Sequence, residues 1–203
     1  MTPRTATVLV NPSARGVSER FDGMRVVRYL ARHEIEAQLI TPPSVLDATR
    51  EAAESAKRAD DLLFVVGGDG SVRAAADGLA GSDTALAALP AGTVNVWAIE
   101  AGIPRDIKSA LDGHISGQVV RADLGRADGQ CFLLMAGIGW DAEVARRVPS
   151  WLKEYVGDYA YLTQAAWMLP RFRPRMAQWT AGETAFEEPL GWMVLGNTRL
   201  YGG

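Results

Sequence analysis

The chain has 203 residues, of which 48% are hydrophobic and 22% charged, and its formal net charge is −3. This composition is typical of a globular protein with one large domain or one and a half. The acidic balance argues against a nucleic-acid-binding surface, and no apolar run approaches the roughly 20 residues that a membrane-spanning helix needs. We therefore expect no nucleic-acid partner and no transmembrane segment.

Cysteine and histidine are too scarce for several kinds of site. The single cysteine, Cys131, excludes a disulfide within the chain and favours a reducing, cytoplasmic location. Its apolar neighbours should raise the pKa of the thiol, which argues against a nucleophilic role. The two histidines, His33 and His114, are far apart, so they offer little for a metal cluster or a histidine-centred triad.

The first 110 residues alternate between strand-like and helix-like segments. Strands are predicted for TATVLV, IEAQLI, DLLFVV and TALAALP. Helices are predicted for residues 17–33, from Ser44 as a capping residue to about residue 59, after GGDG, and after AGTVN to about residue 102. Regular alternation of this kind predicts a parallel sheet with helices on both of its faces.

The pattern changes near residue 115, where short strand-like segments follow each other. They are GQVVRADLG, QCFLLMAGIGW, PRMAQWTAG, ETAFEEP and GWMVLGN, with a predicted helix over residues 151–169. We predict an α/β domain over residues 1–114 and an antiparallel, β-rich domain over residues 115–203 that the chain ends before completing. The tryptophans after residue 139, with Arg171, Arg173 and Arg175, suit either a membrane interface or a β-rich core with a basic rim.

Three glycine-rich or polar turns carry the chemistry of the predicted α/β domain. NPSARG follows the first strand, GGDGS the third and PAGTVN the fourth, and each precedes a helix. Ligands of open α/β sheets bind beyond the carboxyl ends of the strands. Glycine permits close approach of a phosphate to the backbone, and the helix N-terminus supplies free N–H groups. The three turns together indicate a polyphosphate ligand.

Asp69 is the informative residue of these turns because a carboxylate inside a phosphate cradle repels the phosphate unless its charge is used. Two uses are to hold Mg²⁺ through water and to accept a proton from an attacking hydroxyl. Both indicate phosphoryl transfer. The alternative is that Asp69 caps the helix that follows it. The pattern GxxxxGK[ST] is absent, so this is not a P-loop enzyme, and the dinucleotide-binding pattern GxGxxG is absent too.

Seven segments in chain order resemble one family. They are VLVNPSARG, VVGGDGSVRAAADGL, LPAGTVNVWAIEAGIP, ADLG, MAGIGWDAEV, KEYVGDYAY and VLGNTRLYGG. Together they resemble the bacterial diacylglycerol-kinase catalytic family, which includes sphingosine and ceramide kinases. GGDGS by itself also fits NAD kinases and phosphofructokinases, whereas the later segments favour the lipid-kinase branch.

This resemblance implies a nucleotide-binding α/β domain, a β-sandwich-like second domain and an active site between them. It implies Mg²⁺-dependent transfer of the ATP γ-phosphoryl group to a lipid hydroxyl at a membrane surface. It is compatible with either a monomer or a homodimer. Asp69 would be catalytic and bind the metal together with Asp123, and Asp141 would face the lipid head group. The positions implied to bind ATP are Asn11, Thr41, Gly67, Gly68, Gly70, Ser71, Gly92, Thr93 and Asn95.

Four departures from the family pattern keep two alternatives open. Val96 and Ala74 stand where relatives often have carboxylates, and Arg15 stands where they usually have glycine. The family pattern also continues beyond YGG to an acidic residue in a DG turn, so we expect this chain to be a C-terminally truncated form with little activity alone. The alternatives are an NAD kinase-like enzyme and a nucleotide-binding module without catalysis.

Overall fold

The computed structural model describes residues 4–14, 16–17, 22–147, 167 and 172–199. Contacts divide the chain into two compact units, one formed by Met1–Leu134 with Asn197–Gly203 and the other by Met135–Gly196. This division differs from the predicted boundary after residue 114, because residues 115–134 group with the first unit. The predicted helix over residues 151–169, the segment KEYVGDYAY, Arg15 and Arg171 lie outside the described residues, apart from Trp167.

The first unit contains most of the described helices and strands. Its strands are β1 (Thr5–Val10), β2 (Glu36–Ile40), β3 (Leu62–Gly67), β4 (Ala85–Pro90), β5 (Gly125–Ala127) and β6 (Gln130–Phe132). Its helices are α1 (Gly23–Ala31), α2 (Val45–Lys57), α3 (Asp69–Leu79), α4 (Val96–Glu100) and α5 (Ile107–Ser116). The predicted strands of the first 110 residues are confirmed.

The four longer strands form a parallel sheet in the order β2-β1-β3-β4, as the sequence predicts. All six residues of β3 are buried, because this strand lies inside the sheet and helices cover both of its faces. One face packs against α1 and α5 through residues such as Leu30 and Leu111. The other face packs against α2 and α3, for example through Ala52 and Val72. The predicted α/β class is therefore confirmed.

The helix termini show where sequence signals were read correctly and where they were not. Ser44 caps α2 as predicted, since its side chain accepts the N–H of Asp47. Helix α1 is shorter than the helix predicted over residues 17–33. It begins after Asp22, whose carboxylate accepts the N–H of Met24. Val17 lies before the helix and donates its N–H to the carbonyl of Ala14 in a turn. Helix α5 was not predicted, although Asp106 gives it a capping carboxylate at the N–H of Ser109.

Two predicted strands are corrected. GQVVRADLG forms no strand over residues 117–124. Val119 and Val120 are 73% and 79% exposed, so within the described residues this apolar pair has neither a pairing strand nor a packing face. QCFLLMAGIGW is not one strand but two. Its first part pairs as β6 with β5 across a tight turn in which Asp128 and Gly129 both have positive φ. Its second part belongs to the other unit.

The second unit contains antiparallel strands, as predicted. Its described elements are β7 (Met135–Gly139), α6 (Trp140–Arg147), β8 (Arg175–Ala181), β9 (Thr184–Leu190) and β10 (Trp192–Gly196). β7 pairs with β10, and β8 pairs with β9 in a hairpin on which the rings of Trp179 and Phe186 stack at 4.0 Å. No helix among the described residues is long and apolar enough to cross a membrane.

Candidate functional site at the carboxyl edge of the sheet

Three turns meet at the carboxyl edge of the parallel sheet in the first unit. We call residues 11–16 the first turn, 68–71 the third turn and 91–95 the fourth turn, after the strands that they follow. Main-chain hydrogen bonds join them: Gly16 N–H donates to the Ala91 carbonyl at 2.7 Å, and Ala91 N–H donates to the Gly67 carbonyl at 2.9 Å. The sequence prediction that these turns converge is therefore met by the geometry of the sheet.

Some glycines of these turns are required by the protein's own packing. A Cβ atom added to Gly92 would lie 2.5 Å from the Cα of Gly68, and one added to Gly67 would lie 2.5 Å from Ser71 Oγ. Only glycine lets the third and fourth turns approach this closely. These residues are explained by the fold without any ligand.

Gly70 differs from them because nothing in the protein requires it to be glycine. A Cβ atom there would meet no atom within 4 Å, and its φ is not positive. It is exposed in the first turn of α3, where helices leave N–H groups without intrahelical acceptors. The carbonyl of Gly68 takes the N–H groups of Ser71 and Val72, while the N–H groups of Asp69 and Gly70 have no acceptor among the described residues.

Asp69 connects the third turn to α4. Its Oδ2 accepts the N–H of Val96 at 3.0 Å, and its Oδ1 accepts the N–H of Trp97 at 2.9 Å. The N-cap of its own helix is Gly68, so Asp69 caps α4 and not α3, in contrast to the alternative considered from the sequence. Two main-chain donors thus fix the half-buried carboxylate in one orientation, and each oxygen keeps a lone pair for another partner.

Asn11 and Ser71 lie on a cavity beside the third turn. Asn11 Nδ2 donates to Ser71 Oγ at 2.8 Å, and Asn11 Oδ1 accepts the N–H of Ser13 at 2.9 Å. The cavity has a volume of about 190 Å³, and its other lining residues are mostly apolar: Leu9, Pro12, Ser13, Pro42, Pro43, Ser44, Val45, Ala48, Val65 and Ala74. An apolar lining with a few polar atoms at one side is typical of small-molecule sites, and this cavity is smaller than their usual volume of about 300–1,000 Å³.

Asn95 shapes the fourth turn from within. Its backbone is left-handed, with φ 61° and ψ 56°, and the residue is 6% exposed. Its Oδ1 accepts the N–H of Gly92 at 2.8 Å and its Nδ2 donates to the Gly92 carbonyl at 2.9 Å. The Asn95 amide is therefore used inside the turn, and the residue on the surface of the turn is Thr93.

The remaining predicted positions are Thr41, Asp123 and Asp141. Thr41 is exposed after β2, next to the cavity residue Pro42. Asp123 is exposed, and its carbonyl accepts Asn197 Nδ2 at 2.7 Å. Asp141 lies in α6 of the second unit, and its side chain is outside what the structure describes. Among the described residues no group of three or more potential metal ligands of the His, Cys, Asp and Glu types is found.

Sequence reasoning assigned no site role to Asn197 or Arg105, whose side chains donate to main-chain carbonyls, and of these bonds the one from Arg105 reaches the three turns. Asn197 Nδ2 also donates to the Leu133 carbonyl at 2.9 Å, and the guanidinium of Arg105 donates to the Val94 carbonyl in the fourth turn at 3.3 Å. The motif VLGNTRLYGG pointed to Asn197, whereas no motif pointed to Arg105. The argument against a nucleophilic cysteine holds, because burial and a hydrogen bond to Asp77 raise the pKa of the Cys131 thiol.

The fold and these turns define an α/β protein whose candidate ligand site lies at the carboxyl edge of a parallel sheet. A sequence model of the diacylglycerol kinase catalytic domain matches residues 5–127. The chain therefore belongs to the diacylglycerol kinase catalytic-domain family, and the resemblance noted from the sequence is confirmed.

Individual relatives agree with this assignment. The chain is 37% identical over 160 residues to a diacylglycerol kinase of Bacillus subtilis (strain 168), covering 77% of this chain and 53% of the relative. It is 29% identical over 202 residues to one from Staphylococcus saprophyticus, covering 98% of this chain and 66% of the relative. The chain thus spans between about half and two thirds of the length of these curated relatives.

Solved structures are also similar. A crystal structure of a candidate diacylglycerol kinase from Bacillus anthracis str. Sterne superimposes with a TM-score of 0.77 and 25% sequence identity. The match covers 100% of this chain and 68% of that one. The fold observed here is therefore the fold of that protein's corresponding part.

Proposed function

We propose that this protein binds ATP at the carboxyl edge of the sheet and transfers the γ-phosphoryl group to the hydroxyl of a lipid. The observation that carries the proposal is the exposed third turn, where the open backbone at Gly70 lies next to the oriented carboxylate of Asp69. Family membership supports the reaction class, and the curated relatives named diacylglycerol kinase support a lipid acceptor.

The third turn provides the phosphate-binding groups in this proposal. The N–H groups of Asp69 and Gly70 lack protein acceptors in the described part of the chain, and the first turn of α3 carries partial positive charge. The absence of a Cβ at Gly70 leaves open space for a phosphate group beside these N–H groups. The cavity lined by Asn11, Ser71 and apolar side chains would take the nucleoside part of ATP.

Asp69 would act on the acceptor hydroxyl. The acceptor oxygen forms a bond to the γ-phosphorus, the bond from that phosphorus to the β,γ-bridging oxygen breaks, and ADP leaves. The hydroxyl proton passes to a carboxylate oxygen of Asp69. The N–H groups of Val96 and Trp97 keep this carboxylate in place, so no reorientation is needed when the proton is transferred.

The residues present fit a magnesium ion carried by ATP. Magnesium in such sites is usually held by one or two carboxylates, by water and by the substrate's phosphates, and Asp69 keeps a free lone pair on each oxygen. When bound, the ion would neutralise phosphate charge. Asp123 would be its second carboxylate, as the family resemblance implies.

A transfer assay with matched acceptors tests the proposal. The purified full-length protein is incubated with radiolabelled ATP, Mg²⁺ and either diacylglycerol in mixed micelles, a sphingoid base or NAD⁺. ATP binding is measured separately by calorimetry. Saturable labelling of a lipid acceptor supports the proposal, and labelling of NAD⁺ alone identifies the NAD kinase-like alternative. Absence of ATP binding contradicts the proposal.

A second candidate function is nucleotide binding without transfer. It is favoured by Ala74 and Val96, which the resemblance places where relatives often have carboxylates. Ala74 is fully buried and lines the cavity, and Val96 is 7% exposed, so neither position could present a negative charge without changing the packing. ATP binding with no transfer to any acceptor would identify this function.

A further inference from the structure

Arg105 reaches back to the fourth turn from a different part of the chain. It follows α4 and comes immediately before Asp106, the capping residue of α5. Its Nη2 donates to the carbonyl of Val94 at 3.3 Å. The guanidinium therefore lies against the turn that also contains Gly92 and Thr93.

This contact contributes little to holding the fourth turn together. The turn is already closed by the two hydrogen bonds between Asn95 and Gly92, and its exit into α4 is fixed by Asp69. The Arg105 bond is long, its side chain is exposed, and a guanidinium has five N–H donors, of which this bond uses one. The rest of the cation remains available to a ligand.

The charge of the proposed site favours such a cation beside the fourth turn. The third and fourth turns, in GGDGS and PAGTVN, contain no lysine or arginine, and Arg15 is the basic residue of NPSARG in the first turn. Asp69 adds a negative charge where the phosphates of ATP would lie. Seven described arginines, such as Arg121 with Asp83, are paired with carboxylates. Arg105 instead has no carboxylate partner within the described residues and contacts a carbonyl of the site.

We propose that Arg105 is a phosphate-binding residue of this site, whose guanidinium is held at the Val94 carbonyl and donates its other N–H groups to phosphate oxygens of the nucleotide. The inference rests on the proposed function and names a residue that the sequence motifs do not include. Arginine suits this role because its planar donors match phosphate oxygens and it stays charged at any physiological pH.

The test compares three ligands, ATP, ADP and adenosine, that differ only in the number of phosphate groups. Binding of ATP, ADP and adenosine is measured by calorimetry for the 203-residue chain and for its Arg105→Gln, Arg105→Lys and Arg121→Gln variants. Arg121 is a matched control, because its partner Asp83 precedes β4, at the opposite end of the strand from the fourth turn. We expect Arg105→Gln to weaken ATP binding roughly tenfold and adenosine binding less than twofold, with Arg105→Lys in between and the control unchanged.

The outcomes separate this inference from the proposed function. Equal ATP affinity of the wild type and Arg105→Gln overturns the inference alone. An equal loss of ATP and adenosine binding, with a lower melting temperature, shows that Arg105 only supports the turn and also overturns it. If the wild type binds none of the three compounds, both the inference and the proposed function are wrong.

Discussion

Replacing Gly70 with alanine should stabilise this protein while weakening its binding of ATP. A Cβ at this position meets no protein atom within 4 Å, and the backbone is not in the left-handed region, so the substitution has no steric cost. Alanine in a helix is favoured over glycine by about 0.5–1 kcal/mol. For a chain of this length that corresponds to a rise in melting temperature of about 1–4 °C.

The opposite effect is expected on ligand binding. A phosphate oxygen bonded to a backbone N–H lies about 2.9 Å from the nitrogen. The added methyl group of Gly70→Ala would narrow the open space beside that N–H, where the rest of the phosphate group would lie. We expect ATP affinity to fall by roughly tenfold, equivalent to about 1.4 kcal/mol. Thermal unfolding and calorimetric titration with ATP measure the two effects on the same sample.

A matched control is available in α5. Gly113 is also exposed and helical, and a Cβ atom added to it would meet no atom within 4 Å. It lies in α5 and not in any of the three turns. Gly113→Ala should raise the melting temperature by a similar amount and leave ATP binding unchanged. If Gly70→Ala stabilises the chain and binds ATP as tightly as the wild type, the open backbone at this turn does not contact phosphate.

Three further predictions follow from the same geometry. Gly92→Ala should lower the free energy of unfolding, measured by urea denaturation, by about 2–3 kcal/mol, because its Cβ would lie 2.5 Å from the Cα of Gly68. A loss below about 0.5 kcal/mol would contradict this close approach. Burial lowers the pKa of His114, so the unfolded chain binds a proton more readily than the folded one, and the free energy of unfolding should fall between pH 7.5 and 5.5. His114→Gln should show a smaller fall over the same range. Equal falls in the two proteins would contradict a role of His114 in this pH dependence. Asp69→Asn should abolish phosphoryl transfer in the full-length protein, and normal transfer by this variant would show that Asp69 only caps α4. The two N–H groups bond to different oxygens of Asp69, and the amide replaces one oxygen with an NH2 group, so Asp69→Asn should also cost about 1–2 kcal/mol in denaturation. Exposed Asp123→Asn should change stability by less than about 0.5 kcal/mol.

Local sequence determined the elements of the first unit where one signal was sufficient. The apolar run of β3, bounded by charged and glycine residues, predicted a strand buried on both faces, and Ser44 predicted the start of α2. Val119 and Val120 show the limit of such signals, because an apolar pair forms a strand only if another strand is available to pair with it. Helix α5 was missed although Leu111 faces the core, since its apolar positions are few and interrupted by polar residues.

The sequence by itself determined the family, the parallel α/β class and the turns that carry the candidate site. Only the tertiary structure decided what each residue of those turns does. Gly70 and Gly92 are both turn glycines whose roles the sequence does not distinguish. In the structure Gly70 faces open space, whereas Gly92 faces the backbone of Gly68. Asp69 precedes Val96 by 27 positions and bonds to it only because parallel strands bring their carboxyl ends to one edge. Such contacts depend on the packing of distant segments, and a local pattern contains no information about them.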